Sequence, residues 1–274
     1  MRVVRWTLAS VASLVFASLI TAPAARAAEP LHVYAAGSLK AAMTTLITLS
    51  GLPAGSIAPP VYGPAGLLRA RIEKGETADL FASADMAQPR KLAAAHPGEP
   101  VILFAHNSMC ALVREPLHPT PANLLELMLR PEVKIATSTP GADPSGDYAF
   151  AVFTRAEALR PGAKAILNAK ALQLMGGPKT PAPLPGQGVV QSLFASFATD
   201  LVLSYCTGAA EVVHSTPGVV SIPLPSELTV TPAFGLVVLR ENPLADRLAL
   251  FILSEPGQAI LANYGFSPVA SATP

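Results

Sequence analysis

A chain whose apolar residues switch repeatedly from short unbroken runs to a 3.6-residue period has few folds open to it. The first such switch lies in Leu31 to Leu46, LHVYAAGSLKAAMTTL. Leu31 to Ala36 reads as a strand, Gly37-Ser38 as a tight turn, and the residues from about Leu39 as a helix. Leu39, Met43, Leu46 and Ile47 fall at i, i+4, i+7 and i+8, one apolar stripe of that helix. Ser38 is therefore at or beside the helix N-terminus, where unpaired N–H groups point past the carboxyl end of the strand. Ligands of open α/β sheets sit at that edge, and a helix N-terminus there favours an anion. An ordinary capped turn has the same pattern. What separates the two is whether the device recurs.

It does recur. Strand-like runs follow at Ala78 to Ala82, Val133 to Thr139, Leu201 to Cys206, Val219 to Leu224 and Phe234 to Leu239. Between them, helical periods cover Gly66 to Lys74, Met86 to Ala95, Leu124 to Leu129, Asp147 to Leu159 and Ala163 to Leu174. Val189 to Ala198, Leu244 to Leu253 and Pro256 to Tyr264 add three more. Such alternation specifies an α/β fold, mostly parallel sheets covered by helices. Val101 to Val113 is long for one strand and has a polar waist at Asn107-Ser108. The waist suits either a crossing between two lobes or a plain turn between two strands. Gly176 to Gly188 (GGPKTPAPLPGQG) has no periodicity, and long loops of this kind tend to be functional or mobile.

The N-terminus reads as a targeting signal over residues 1–27. Arg2 and Arg5 precede an apolar run from Trp6 to Ile20, and Ala25-Arg26-Ala27 has the small-x-small form of a cleavage site. Export to a periplasm is the expectation, with no lipobox cysteine at the cleavage site. Without Arg2, Arg5 and Arg26 the remainder carries 16 basic and 18 acidic side chains, a formal charge of −2. That balance offers no groove for nucleic acid and no basic membrane face. An anion would have to be held by local dipoles. Cys110 and Cys206 remain in the exported chain, where an oxidising compartment permits a disulfide. Two buried free thiols are the competing reading, because spacing alone does not bring Cα atoms to bridging distance.

Small or polar turns precede predicted helices at Ala36-Gly37-Ser38, Gly63-Pro64-Ala65-Gly66, Pro144-Ser145-Gly146 and Gly186-Gln187-Gly188. Together they would form a cradle of neutral donors, suited to a fully ionised tetrahedral anion. Tyr205 ends the run LVLSY and either adds a phenol donor or lies in the core against a carbonyl. Enzyme chemistry has little support. There is no G-x-S-x-G elbow, and His32, His96, His106, His118 and His214 lack metal-ligand spacing. Asp143 reads as a turn former before Pro144, and Asp147 as a helix-dipole residue. Either would disfavour an anion if turned inward.

The runs VYAAGSL, YGPAGLLRARIEKGETADLFASAD, PSGDYA, LVLSY and SEPGQAILANYGF, in this order, are similar to the periplasmic molybdate-binding proteins of ABC transporters. The resemblance covers essentially the whole exported chain. It implies a two-lobed type II periplasmic-binding-protein fold, each lobe a mostly parallel sheet flanked by helices. Lobe 1 would comprise residues 28–103 with 225–274, and lobe 2 residues 104–224. It further implies a monomer that captures molybdate or tungstate between the lobes and delivers it to a membrane permease, with no cofactor and no enzymatic step. Carried over by motif, the oxyanion would touch Ser38, Ala65, Gly66, Ser145, Gln187 and Tyr205, with no direct ligand to the metal atom. The second turn departs from the family pattern: Pro64-Ala65-Gly66 has no hydroxyl, and Pro64 has no N–H. The same clamp for sulfate or a small organic anion is the alternative. A secreted serine hydrolase built on Ser145 is the alternative from another class.

Overall fold

The computed structural model describes residues 29–95, 98–178 and 180–269, and the signal expected at 1–27 lies outside them. The strands are β1 (Val33–Ala36), β2 (Val61–Gly63), β3 (Leu80–Ser83), β4 (Ile102–His106) and β5 (Met109–Arg114), then β6 (Ile135–Ser138), β7 (Ala171–Met175), β8 (Leu201–Tyr205), β9 (Val219–Pro223) and β10 (Ala233–Val238). The helices are α1 (Lys40–Leu49), α2 (Ala65–Glu73), α3 (Ala87–Ala93), α4 (Leu124–Leu129) and α5 (Pro144–Leu159), then α6 (Ala163–Lys170), α7 (Val189–Ala195), α8 (Ala209–Ser215), α9 (Pro243–Leu253) and α10 (Glu255–Asn263).

They form two five-stranded sheets of like order, β2-β1-β3-β10-β4 and β7-β6-β8-β5-β9. In the first, β1 runs parallel to β2 and β3, while β10 is antiparallel to β3 and β4. In the second, β6 runs parallel to β7 and β8, while β5 is antiparallel to β8 and β9. Four strands of each sheet thus point one way and the fifth opposes them. The opposed strand is the one the chain enters on crossing from the other sheet. One crossing is Asn107-Ser108, between β4 and β5, and the other is residues 224–232, between β9 and β10. β4 continues past residue 103 because Ala105 and His106 pair with Phe234 and Ala233.

The stripe expected on α1 packs inward, with Leu39, Met43 and Leu46 fully buried and Ile47 at the core edge. Three local readings change. Residues 163–174 are not one helix: α6 stops at Lys170, whose Nζ donates to the Met128 carbonyl, and 171–175 joins the open edge of β6 as β7. Helix α8 has no counterpart among the predicted helices. It is seven residues long and buries only Ala209 and Val212, too short a stripe to show a period. Helix α5 begins three residues before Asp147, because the Asp143 carboxylate accepts from the Ser145 N–H and caps it while Pro144 takes the first turn.

Phe234 of β10 joins the two halves. Its ring lies edge-on to Phe104 and Phe266 on the first-sheet side, and to Tyr205 of β8 in the second sheet, with the Tyr205 centroid 5.5 Å away. Tyr148 of α5 stacks at the edge of Tyr205, and its hydroxyl accepts from the Ala233 N–H at 3.1 Å. The sulfurs of Cys110 and Cys206 are bonded to each other, with their Cα atoms 5.0 Å apart. The bridge ties the start of β5, just past the first crossing, to the residue after Tyr205.

Closing a 96-residue separation, this bridge restricts the unfolded chain strongly. Replacing Cys110 and Cys206 together by serine is expected to lower stability by about 2–4 kcal/mol, read as a fall in the urea midpoint. Gly146→Ala places a Cβ 2.5 Å from the Ser138 carbonyl oxygen and 2.7 Å from the Pro140 nitrogen, neither of which can retreat. It is expected to cost roughly 1–3 kcal/mol by overpacking, measured in the same titration.

Candidate functional site

A cleft of about 820 Å³ opens between the sheets, beyond the carboxyl ends of β1, β6 and β8. The first sheet contributes Gly37 and Ser38, in a single 3-10 turn between β1 and α1, with Gly63 and Ala84. The second contributes Ser138 at the end of β6, Asp143 and Ser145 at the start of α5, and Ser204 and Tyr205 at the end of β8. Lys40 lies on the α1 side of the mouth and Glu211 on the α8 side. The strand–turn–helix device that marks Ser38 in the sequence is thus what carries it to the cleft wall.

Three hydroxyl oxygens in this wall are sealed from solvent and make no hydrogen bond: Ser38 Oγ, Ser145 Oγ and Tyr205 Oη. Ser145 and Tyr205 are themselves only 4 % and 6 % exposed. A buried polar atom left without a partner costs about 1–3 kcal/mol, so each hydroxyl is primed to gain from a ligand oxygen. Burial, and next the charge of Asp143, push the Tyr205 phenol well above its usual titration range, which keeps it a proton donor. The three come from both sheets.

The other expected ligand groups do not line the cleft. Ala65 is buried in the first turn of α2, and the Gly66 N–H donates to the Ala142 carbonyl at 2.9 Å. This bond crosses from the first half to the loop before α5. A Cβ on Gly66 would collide with the Gly141 and Ala142 carbonyls, so glycine permits the approach. Gln187 is exposed, and its Oε1 accepts from the Ser192 hydroxyl at 3.3 Å. The Ser145 backbone N–H, expected to face the ligand, is taken by Asp143 Oδ1 at 3.1 Å.

The two aspartates part ways. Asp147 turns its carboxylate onto the Gly141 N–H, both oxygens accepting at 3.1 Å, and so holds the loop that meets Gly66. Asp143 faces the cleft. Burial raises its pKa most, with the charges of Asp147 and Asp85 acting the same way, while the Ser145 N–H and the Ser138 hydroxyl favour the carboxylate. Ser138, Asp143 and Lys40 stand in the wall without having been expected there. Ser138 follows the rule that found Ser38, a hydroxyl at the carboxyl end of a parallel strand. No histidine lines the cleft among the described residues.

The chain matches the family model for bacterial extracellular solute-binding proteins over residues 31–267. The Pasteurella multocida (strain Pm70) protein PM1146, itself uncharacterised, is 34% identical over 209 residues, 76% of this chain and 86% of its own. In fold the chain is similar to the Mycobacterium tuberculosis H37Rv sulfate-binding protein SubI, at TM-score 0.72 and 17% identity over 89% of this chain and 88% of that one. The Azotobacter vinelandii periplasmic molybdate-binding protein superposes at TM-score 0.66 and 20% identity, over 88% of this chain and all of its own. The matched span takes in both sheets and the cleft between them, and the chain belongs to the bacterial extracellular solute-binding proteins.

Proposed function

We propose that this protein captures a tetrahedral oxyanion between its two lobes and hands it to the membrane permease of an ABC importer, acting as an exported monomer. The observation that carries this is the set of three buried, unpartnered hydroxyls, Ser38, Ser145 and Tyr205, drawn from both sheets onto one cleft. Hydroxyls from both sides favour a closed, liganded form, because a shared ligand satisfies donors that neither lobe can satisfy alone. Inside such a closed site, each hydrogen bond strengthens in the lower local dielectric. Molybdate and tungstate are the first candidates, supported by the motif resemblance over the whole exported chain. Sulfate or a small organic anion is the second; at about 820 Å³ the cleft has room for an organic anion larger than any four-oxygen ion, within the span of pockets for drug-sized ligands.

Thermal melting of the ligand-free protein against molybdate, tungstate, sulfate and phosphate tests this directly. A ligand present at 100 times its Kd stabilises the native state by about 2.7 kcal/mol, a rise of several degrees. If no oxyanion raises the melting temperature, the clamp is not for oxyanions. Within the site, Ser38→Ala and Tyr205→Phe each remove a donor to a charged ligand. Each is expected to weaken binding by about 1.5–3 kcal/mol, tenfold or more by calorimetry. Gln187→Ala leaves affinity unchanged, because that side chain lies at the surface against Ser192.

A further inference from the structure

A carboxyl group is an unexpected lining for a site built to hold an anion. Asp143 is nevertheless fixed in place. Its Oδ1 accepts from the Ser145 N–H, and its backbone N–H donates to the Thr139 carbonyl at 2.9 Å. Its Oδ2 occupies the space a side chain at residue 176 would fill: a Cβ on Gly176, which also has φ of +64°, would collide with that oxygen. Ser145 and Tyr205, with their unpartnered hydroxyls, line the same cleft as this carboxyl. We propose that the clamp takes its oxyanion together with one proton, shared between the ligand and the Asp143 carboxyl. The inference rests on the oxyanion clamp proposed above and adds a rule for which ligand states fit.

A charged Asp143 facing a dianion at short range is repulsive, the more so in the lower dielectric of a buried site. A neutral Asp143 instead donates its O–H to a ligand oxygen, as the three hydroxyls do. The proton has two sources. Molybdate, tungstate and sulfate carry none at neutral pH, so Asp143 takes one up from solvent as they bind. Hydrogen phosphate brings a proton of its own and can donate it to the carboxylate. The surroundings lean toward the neutral acid. The charges of Asp147 on the same helix and Asp85 from the first sheet act on the group, Tyr205 of β8 feels its charge, and Lys40 and Glu211 line the same cleft. Burial, the largest influence, acts in the same direction.

The test is calorimetry with sulfate, molybdate and inorganic phosphate from pH 6 to pH 8.5, in two buffers of different ionisation enthalpy to count protons. For wild type, as the pH rises above the Asp143 pKa, sulfate and molybdate should bind with uptake approaching one proton. Their affinity should fall toward tenfold per pH unit once the pH exceeds the Asp143 pKa. Total phosphate should lose less over the same range. Asp143→Asn keeps a carbonyl oxygen for the Ser145 N–H and presents a permanent N–H donor, so it should abolish both the uptake and the slope. Asp147→Asn, outside the cleft, should keep both. Binding without proton uptake, or an unchanged slope in Asp143→Asn, overturns the inference and leaves the clamp standing. Failure of every oxyanion at every pH overturns the clamp, and the inference with it.

Discussion

The contact on which both halves depend is the edge-to-face packing of Phe234 on Tyr205, centroids 5.5 Å apart. Such a pair is worth about 0.5–1.5 kcal/mol beyond its buried area, but position matters more here than energy. Phe234 belongs to β10, the strand by which the chain re-enters the first sheet, and Tyr205 ends β8 in the second. The ring that joins the lobes therefore also seats the phenol whose hydroxyl lines the cleft. The Cys110–Cys206 bridge fixes the next residue along, and Asn107 Nδ2 donates to Thr207 Oγ1 at 3.1 Å across the same crossing. The floor of the cleft and the junction between lobes are one cluster.

On that floor the protein leaves polar groups unsatisfied that a folded interior normally pairs. Ser38, Ser145 and Tyr205 keep free hydroxyls, while the neighbouring backbone donors are already committed: Gly66 to Ala142, and Ser145 to Asp143. The division is physical. Backbone N–H groups at a lobe contact or helix start find a partner within the fold, whereas a short hydroxyl pointing into the cleft has only a ligand to meet. Specificity then rests on side chains more than on helix ends. That places weight on the acid that stands beside those hydroxyls, Asp143.

Much of this was legible along the chain. The αβ alternation, the turn at Gly37-Ser38, the apolar stripe of α1 and the strand that delivers Tyr205 all follow from local periodicity, which the backbone obeys wherever the segment ends up. Strand β7 was not legible, because an edge strand of half-exposed residues takes its hydrogen bonds from β6, and nothing within 171–175 announces that partner. That Gln187 stands away from the cleft wall was not legible for a related reason. Its flanking glycines promised an approach to ligand, but its side chain found Ser192 at the surface.

The amino-acid sequence by itself determined that this protein has an α/β fold, hydroxyls at strand ends, and too little net charge to hold an anion by bulk attraction. Those properties depend on the order and spacing of residues. Only the tertiary structure decided which donors stay free, that Asp143 rather than Asp147 faces the cleft, and that Cys110 meets Cys206. The bridge depends on two residues 96 apart coming within bonding distance, and the Gly66 N–H is committed by a carbonyl from the other half of the chain. Short-range pattern carries no information about such distances.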